Sequence, residues 1–218
     1  ALNALKNFDI NKNLPLNTLF VLNGKKNKIT VNDLGYLIGP ILNAGGRLGK
    51  SQYATDLLSS DNNQIVNDRS KNLIRLNNKR KEIETLILDE IDFQEIEKEN
   101  KDIIIYYNPN INEGLIGIIA ARLKDYFNKP SIVITASNKL LKGSARSIYN
   151  YNIGRVIKNS LDQDMILNGG GHNMAAGFTL NKVKLKDFEN YILEDFLKSN
   201  TVNNNIFCYD SEVSSLAF

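Results

Sequence analysis

Asp102-Ile103-Ile104-Ile105-Tyr106-Tyr107 opens the stretch whose reading decides the fold class. A run of β-branched and aromatic residues at this length reads as a buried strand. Asn112-Glu113-Gly114-Leu115-Ile116-Gly117-Ile118-Ile119-Ala120-Ala121-Arg122-Leu123 follows, apolar on nearly every side, as a buried helix is. Ser131-Ile132-Val133-Ile134-Thr135 is a second strand, and Leu140 to Ser147 a third. Strand, helix and strand in succession predict an α/β unit with some parallel pairing. Helical signals return at Ile153–Ser160 and Leu185–Lys198.

The pattern changes upstream. Ser51 is placed to cap a helix carrying Tyr53, Ala54, Leu57 and Leu58. A second helix is expected from near Asp61 to about Asn100. Its apolar stripe is Ile65, Leu73, Leu76, Ile83, Ile87 and Ile91. A helix of that length usually connects two domains or lies across them. The charges along it, from Arg69 to Lys81, read first as a solvated face. Residues 1–50 read as irregular apart from Leu19-Phe20-Val21-Leu22. They end in Gly39-Pro40-Ile41-Leu42-Asn43-Ala44-Gly45-Gly46-Arg47-Leu48-Gly49, where paired glycines suggest a tight turn presenting a cation. Downstream, Asn200 to Phe218 reads as a linker, with Ile206-Phe207-Cys208-Tyr209 as the start of another strand.

A chain of 218 residues holds one large domain or two small ones, and its 42% hydrophobic content supports a packed core. The net charge of +3 is compatible with a nucleic-acid partner without being evidence for one. Cys208 is the only cysteine, which excludes an internal disulfide and suits a reducing, cytoplasmic setting. No apolar run approaches the roughly 20 residues that cross a membrane, so no membrane association is expected. Ala1-Leu2-Asn3 offers neither an initiator Met nor a signal pattern, and a partial product is expected.

Three segments can carry chemistry. In Asn168-Gly169-Gly170-Gly171-His172-Asn173-Met174-Ala175-Ala176-Gly177-Phe178, glycines let a ligand approach the backbone. His172, the only histidine, sits where a helix N-terminus would help it face a phosphate. The plain alternative is a flexible turn with an exposed imidazole. In Lys142-Gly143-Ser144-Ala145-Arg146-Ser147, strand alternation puts Ser144 and Arg146 on one face, a hydroxyl and a guanidinium suited to phosphodiester oxygens. The alternative is an edge strand with a solvated Arg. In Asn43-Ala44-Gly45-Gly46-Arg47, Asn43 and Arg47 can both reach a phosphate or a carbonyl, the alternative being a helix-cap turn. Together the three suggest a polyanion path built by several loops. There is no His-rich cluster and no Glu-x-x-His spacing, so no metal ligand is assigned.

Four segments occur in the order seen in one known family. Gly39–Leu48, Glu113–Leu123, Lys142–Ser147 and Gly169–Phe178 resemble the motifs of the RecJ single-stranded-DNA-specific exonucleases of the DHH phosphoesterase superfamily. The resemblance implies an α/β layout. Residues 1–48 would be the C-terminal end of a DHH catalytic domain and 49–100 its connecting helices. Residues 101–198 would be a mixed-sheet DHH-associated domain, and 199–218 a linker into an OB-like domain. It implies metal-dependent 5′-to-3′ hydrolysis of single-stranded DNA in repair and recombination, with Mn²⁺ or Mg²⁺ held by a part outside this chain. By motif match, Arg47, Ser144, Arg146, Gly170, Gly171 and His172 would contact substrate phosphates, His172 completing the catalytic site, and Asn43 would orient its loop. A separately encoded N-terminal DHH portion is then a candidate partner. The chain departs from the pattern at Gly45, where the family has Ala, and at Asn112, where it has His. Other readings are a phosphodiesterase for oligoribonucleotides or cyclic dinucleotides, a non-catalytic nucleic-acid-binding module, and an inactive fragment.

Overall fold

A computed structural model describes residues 7–26 and 28–199. Helices α1 (Leu14–Leu22), α2 (Gly39–Arg47), α3 (Gln52–Leu58), α4 (Asn63–Glu90) and α5 (Phe93–Glu99) come first. Strand β1 (Ile104–Tyr107), helix α6 (Ile116–Phe127) and strands β2 (Ser131–Ser137) and β3 (Leu140–Arg146) follow. Helix α7 (Ile153–Asp162), strands β4 (Asn168–His172) and β5 (Ala175–Leu180) and helix α8 (Leu185–Lys198) complete the order. The strands form one sheet, β1-β2-β3-β5-β4. β1 and β2 pair in parallel across the α6 crossover, as the strand-helix-strand pattern predicts, and the other pairs are antiparallel.

Strand alternation divides the sheet's surroundings. Ile132, Ile134, Leu141, Ala145, Ala176, Phe178 and Leu180 point to one face and pack with Ile153, Val156 and Ile157 of α7 and Phe188 and Ile192 of α8. Ile104 and Val133 point to the other, against Ile116, Ile119, Ala120 and Leu123 of α6 and Ile87 of α4. A third core joins Leu19 and Phe20 of α1, Ile41 of α2 and Leu57 of α3 to Val66 and Leu73 of α4. Helix α4 therefore lies across two packed units, as its length suggested. Val66 and Leu73, its fully buried apolar residues, each stabilise that arrangement by about 1.5–3 kcal/mol.

Residues 1–50 are not irregular where they are described. A polar cap hidden in an Asn-rich sequence starts α1, another starts a short helical turn at Val31–Asp33, and α2 starts without a side-chain cap. Asn13 Oδ1 accepts from the Leu16 N–H at 3.0 Å. Thr30 and Asp33 form a reciprocal capping box. The paired glycines are helical too. A Cβ at Gly45 would stand 2.7 Å from the Lys50 carbonyl oxygen, so close packing explains this glycine, and the chain turns at Gly49, with φ +75°. The helix expected from Asp61 to Asn100 breaks at Ile91, which is extended, and Asp92 caps α5 by accepting from the Glu95 N–H at 2.9 Å. Val66, not Ile65, faces the core. No helix begins at His172. β4 and β5 form a hairpin closed by the two residues Asn173-Met174. The strand expected at Ile206–Tyr209 lies outside the described residues.

Gly143 shows how tightly the sheet is built. A Cβ there would fall 2.1 Å from the ring of Phe178, which packs on Phe188 at 4.6 Å between centroids. Gly143→Ala is expected to destabilise the fold by about 1–3 kcal/mol, read as a lower urea midpoint. An unchanged midpoint would contradict this packing.

Candidate phosphate-binding site

Lys142, Ser144 and Arg146 share the face of β3 opposite the α7–α8 core. Arg146 Nη1 donates to Ser144 Oγ at 3.2 Å and to the Ala145 carbonyl at 2.9 Å. The first turn of α6 lies over this pair. A Cβ at Gly117 would stand 3.0 Å from Arg146 Nη2 and 3.1 Å from Ser144 Oγ. Arg47, the last residue of α2, arrives from the helical unit, its Nη1 donating to the Gly114 carbonyl at 3.0 Å. The approach is close enough that a Cβ at Gly114 would fall 2.2 Å from the Arg47 carbonyl oxygen. Arg47, Ser144 and Arg146 thus line one cavity of 390 Å³.

The charges lining this cavity are mostly basic, Arg47, Lys142 and Arg146 against Glu113. Among the described residues neither Arg47 nor Arg146 forms an ion pair; the nearby carboxylates Glu84 and Glu113 pair with other cations. Glu84 of α4 takes Arg80 Nη1 at 2.7 Å and Arg122 Nε at 2.8 Å. Glu113 takes Lys142 at 2.8 Å and the Ser137 hydroxyl at 2.7 Å, which hold its pKa below the ordinary carboxylate value. Burial lowers the pKa of Arg146, and the charge of Arg47 lowers it further. Burial also lowers that of Arg47, with Arg80 adding to the effect and Glu84 opposing it. A guanidinium nevertheless stays charged at physiological pH. Leu115 gives α6 no side-chain cap. The first N–H groups of a helix lack intrahelical acceptors and carry partial positive charge. Two half-buried guanidiniums, a hydroxyl and a helix N-terminus are an arrangement suited to an anion.

The sheet extends this site into a floor. Register aligns Ser144 with Gly177 and Gly170, and Arg146 with Ala175 and His172, so these side chains share the face that bears Ser144. A Cβ at Gly170 would meet nothing within 4 Å, and one at Gly177 only the Gly143 carbonyl oxygen at 3.8 Å. Neither has a positive φ. Glycine weakens a strand, and these two, required by neither packing nor dihedral, leave the backbone open to a close approach.

The expected residues therefore separate. Arg47, Ser144 and Arg146 meet in the cavity. His172 stands on the exposed edge strand, two strand spacings from Arg146, or about 10 Å. Its Nδ1 accepts from the Met174 N–H at 3.4 Å. Gly170 belongs to the floor. Gly171 does not: its Cβ would meet the Ala175 carbonyl oxygen at 2.3 Å, a packing requirement. Asn43 is exposed on helix α2, one turn before Arg47, so the loop it was expected to orient is absent. Asn112, in the family's His position, accepts from the Gly114 N–H at 2.8 Å and shapes the turn under Arg47. Gly114, Gly117 and the floor role of Gly177 escaped the sequence reading. Two glycines flanking the start of an apolar helix were the available signal.

Gly170→Val and Gly177→Val should leave the melting temperature unchanged or raise it. Either should weaken the binding of an extended polyanion by about tenfold or more, equivalent to about 1.4 kcal/mol. Wild-type affinity in both folded variants would contradict an occupied floor.

Residues 100–199 match the DHHA1 domain family. The single-stranded-DNA-specific exonuclease RecJ of Haemophilus influenzae is 34% identical over 91% of this chain and 36% of its own length. That of Escherichia coli is 35% identical over 78% of this chain and 31% of its own length. The crystal structure of RecJ from Thermus thermophilus in complex with Mg²⁺ superposes with a TM-score of 0.72 at 23% identity, covering 85% of this chain and 29% of that one. The chain spans about a third of the length of the curated relatives it matches. It belongs to the RecJ family of DHH phosphoesterases and carries the DHHA1 domain of that family.

Proposed function

We propose that this chain supplies the strand-gripping part of a RecJ-type 5′-to-3′ single-stranded-DNA exonuclease that works in cytoplasmic DNA repair and recombination. The observation that carries this is the half-buried pair Arg47 and Arg146, without a carboxylate partner among the described residues, at the uncapped start of α6. A phosphate of the strand fills that gap, with Ser144 donating a hydroxyl to it. The backbone then runs over Gly177 and Gly170 toward His172. His172 contacts a further phosphate and completes the catalytic site from the substrate's side. An open floor across three strands suits a chain molecule better than a small cyclic dinucleotide. In this proposal residues 1–48 are the tail of the DHH domain, 49–100 its connecting helices, 101–198 the DHH-associated domain and 199–218 the start of an OB-like one.

The family proteins use divalent cations, and the Thermus thermophilus structure holds Mg²⁺. The residues here do not fit such an ion: among those described, no three His, Cys, Asp or Glu side chains converge. Asp162-Gln163-Asp164 has suitable donor types but is exposed at the end of α7. The Mn²⁺ or Mg²⁺ ligands are assigned to a DHH portion beyond this chain, which is its proposed partner.

Fluorescence anisotropy with a labelled oligothymidylate tests the proposal. Arg146→Ala should weaken binding about tenfold or more. It should also reduce the slope of log affinity against log salt by about 0.7, the value for one single-strand phosphate contact. The chain alone should leave the oligonucleotide intact in Mn²⁺ or Mg²⁺. Unchanged affinity and slope would refute the phosphate assignment.

A further inference from the structure

We infer that Tyr149 is a base-stacking platform for single-stranded nucleic acid, placed where the strand leaves the Arg146 phosphate site; this rests on the binding proposed above. Tyr149 is 74% exposed, three residues past Arg146. Among the described residues its ring has no aromatic partner, whereas exposed Tyr126 packs against Phe93 and Phe127.

The turn that carries it is fixed on both sides. The Ser147 N–H donates to the Met174 carbonyl at 2.9 Å, and the Ile153 N–H to that of Asn173 at 3.2 Å. The Ser147 hydroxyl donates to the Tyr151 carbonyl at 2.6 Å inside the turn. Tyr151 itself is buried, its hydroxyl donating to Asp195 Oδ1 at 3.2 Å. These bonds tie the turn to the β4–β5 hairpin, so Tyr149 sits at the sheet end that also holds Arg146, His172 and the partly exposed Met174.

A large ring held outward from a bonded turn loses little conformational entropy when a base covers it. Any base presents a π-face, so the contact tolerates sequence while it distinguishes a nucleic acid from a bare polyanion. Arg146 and Ser144 then hold a phosphate, and Tyr149 holds a base beside it.

The test compares wild type, Tyr149→Ala, Tyr149→Phe and Arg146→Ala. Each is titrated with a labelled oligothymidylate and with an abasic oligomer of the same length. Tyr149→Ala should weaken the oligothymidylate about tenfold, within the range for one stacked base. It should leave the abasic oligomer and the melting temperature unchanged. Tyr149→Phe should match wild type. If Tyr149→Ala binds oligothymidylate as wild type while Arg146→Ala is weakened, stacking is refuted and the phosphate site stands. Equal weakening of both oligomers by Tyr149→Ala also refutes stacking. If Arg146→Ala changes neither, the phosphate site itself is wrong.

Discussion

Two like charges, Arg47 and Arg146, are held half-buried at one junction; burial lowers the pKa of both, and the charge of Arg47 lowers that of Arg146 further. Such an arrangement costs folding energy, because buried charge is unfavourable without a partner. The surrounding structure enforces it. Gly114 lets the end of α2 touch the loop before α6, and Gly117 lets α6 settle over Arg146. Two carboxylates stand nearby, but Glu113 is taken by Lys142 and Ser137, and Glu84 by Arg80 of its own helix and by Arg122, whose bond clasps α4 to α6. The clasp fixes the helical unit against the sheet and leaves the pocket cationic. In the proposed function, a strand phosphate bound there would relieve the conflict.

The sheet supplies the second constraint. Period-two alternation sends Gly143 and Phe178 into the α7–α8 core, and Ser144 and Gly177 to the open side. The glycines of one motif therefore do different jobs. Gly169 and Gly171 are required by packing, while Gly170 leaves room above the sheet.

What the sequence disclosed follows from that physics. β2 and β3 were readable because buried strands carry long β-branched or alternating runs, and α8 because its apolar period is clean. Ser144 and Arg146 could be paired from alternation alone. Helix α1 was missed because its cap is Asn13 in a chain where Asn is everywhere, and α2 because it starts without a side-chain cap and carries paired glycines. The paired glycines looked like a turn because nothing local shows that Lys50 folds back onto Gly45. The hairpin at His172 was misread for a related reason. Ala175-Ala176-Gly177 suits a close-packed helix as well as a strand, and only pairing with β3 decides. That Arg47 meets Arg146 at all is a long-range consequence of α4 bridging two cores, and the order of motifs hinted at it without giving the geometry.

The most direct measurement is thermal unfolding of wild type and Arg146→Met, with and without oligothymidylate. Removing the unpartnered charge should raise or preserve the melting temperature of the free variant. The oligonucleotide should stabilise wild type strongly and the variant little, because only a ligand that binds the folded state shifts unfolding. A free variant less stable than wild type, yet stabilised equally by the oligonucleotide, would show that Arg146 is an ordinary structural residue and that the phosphate lies elsewhere.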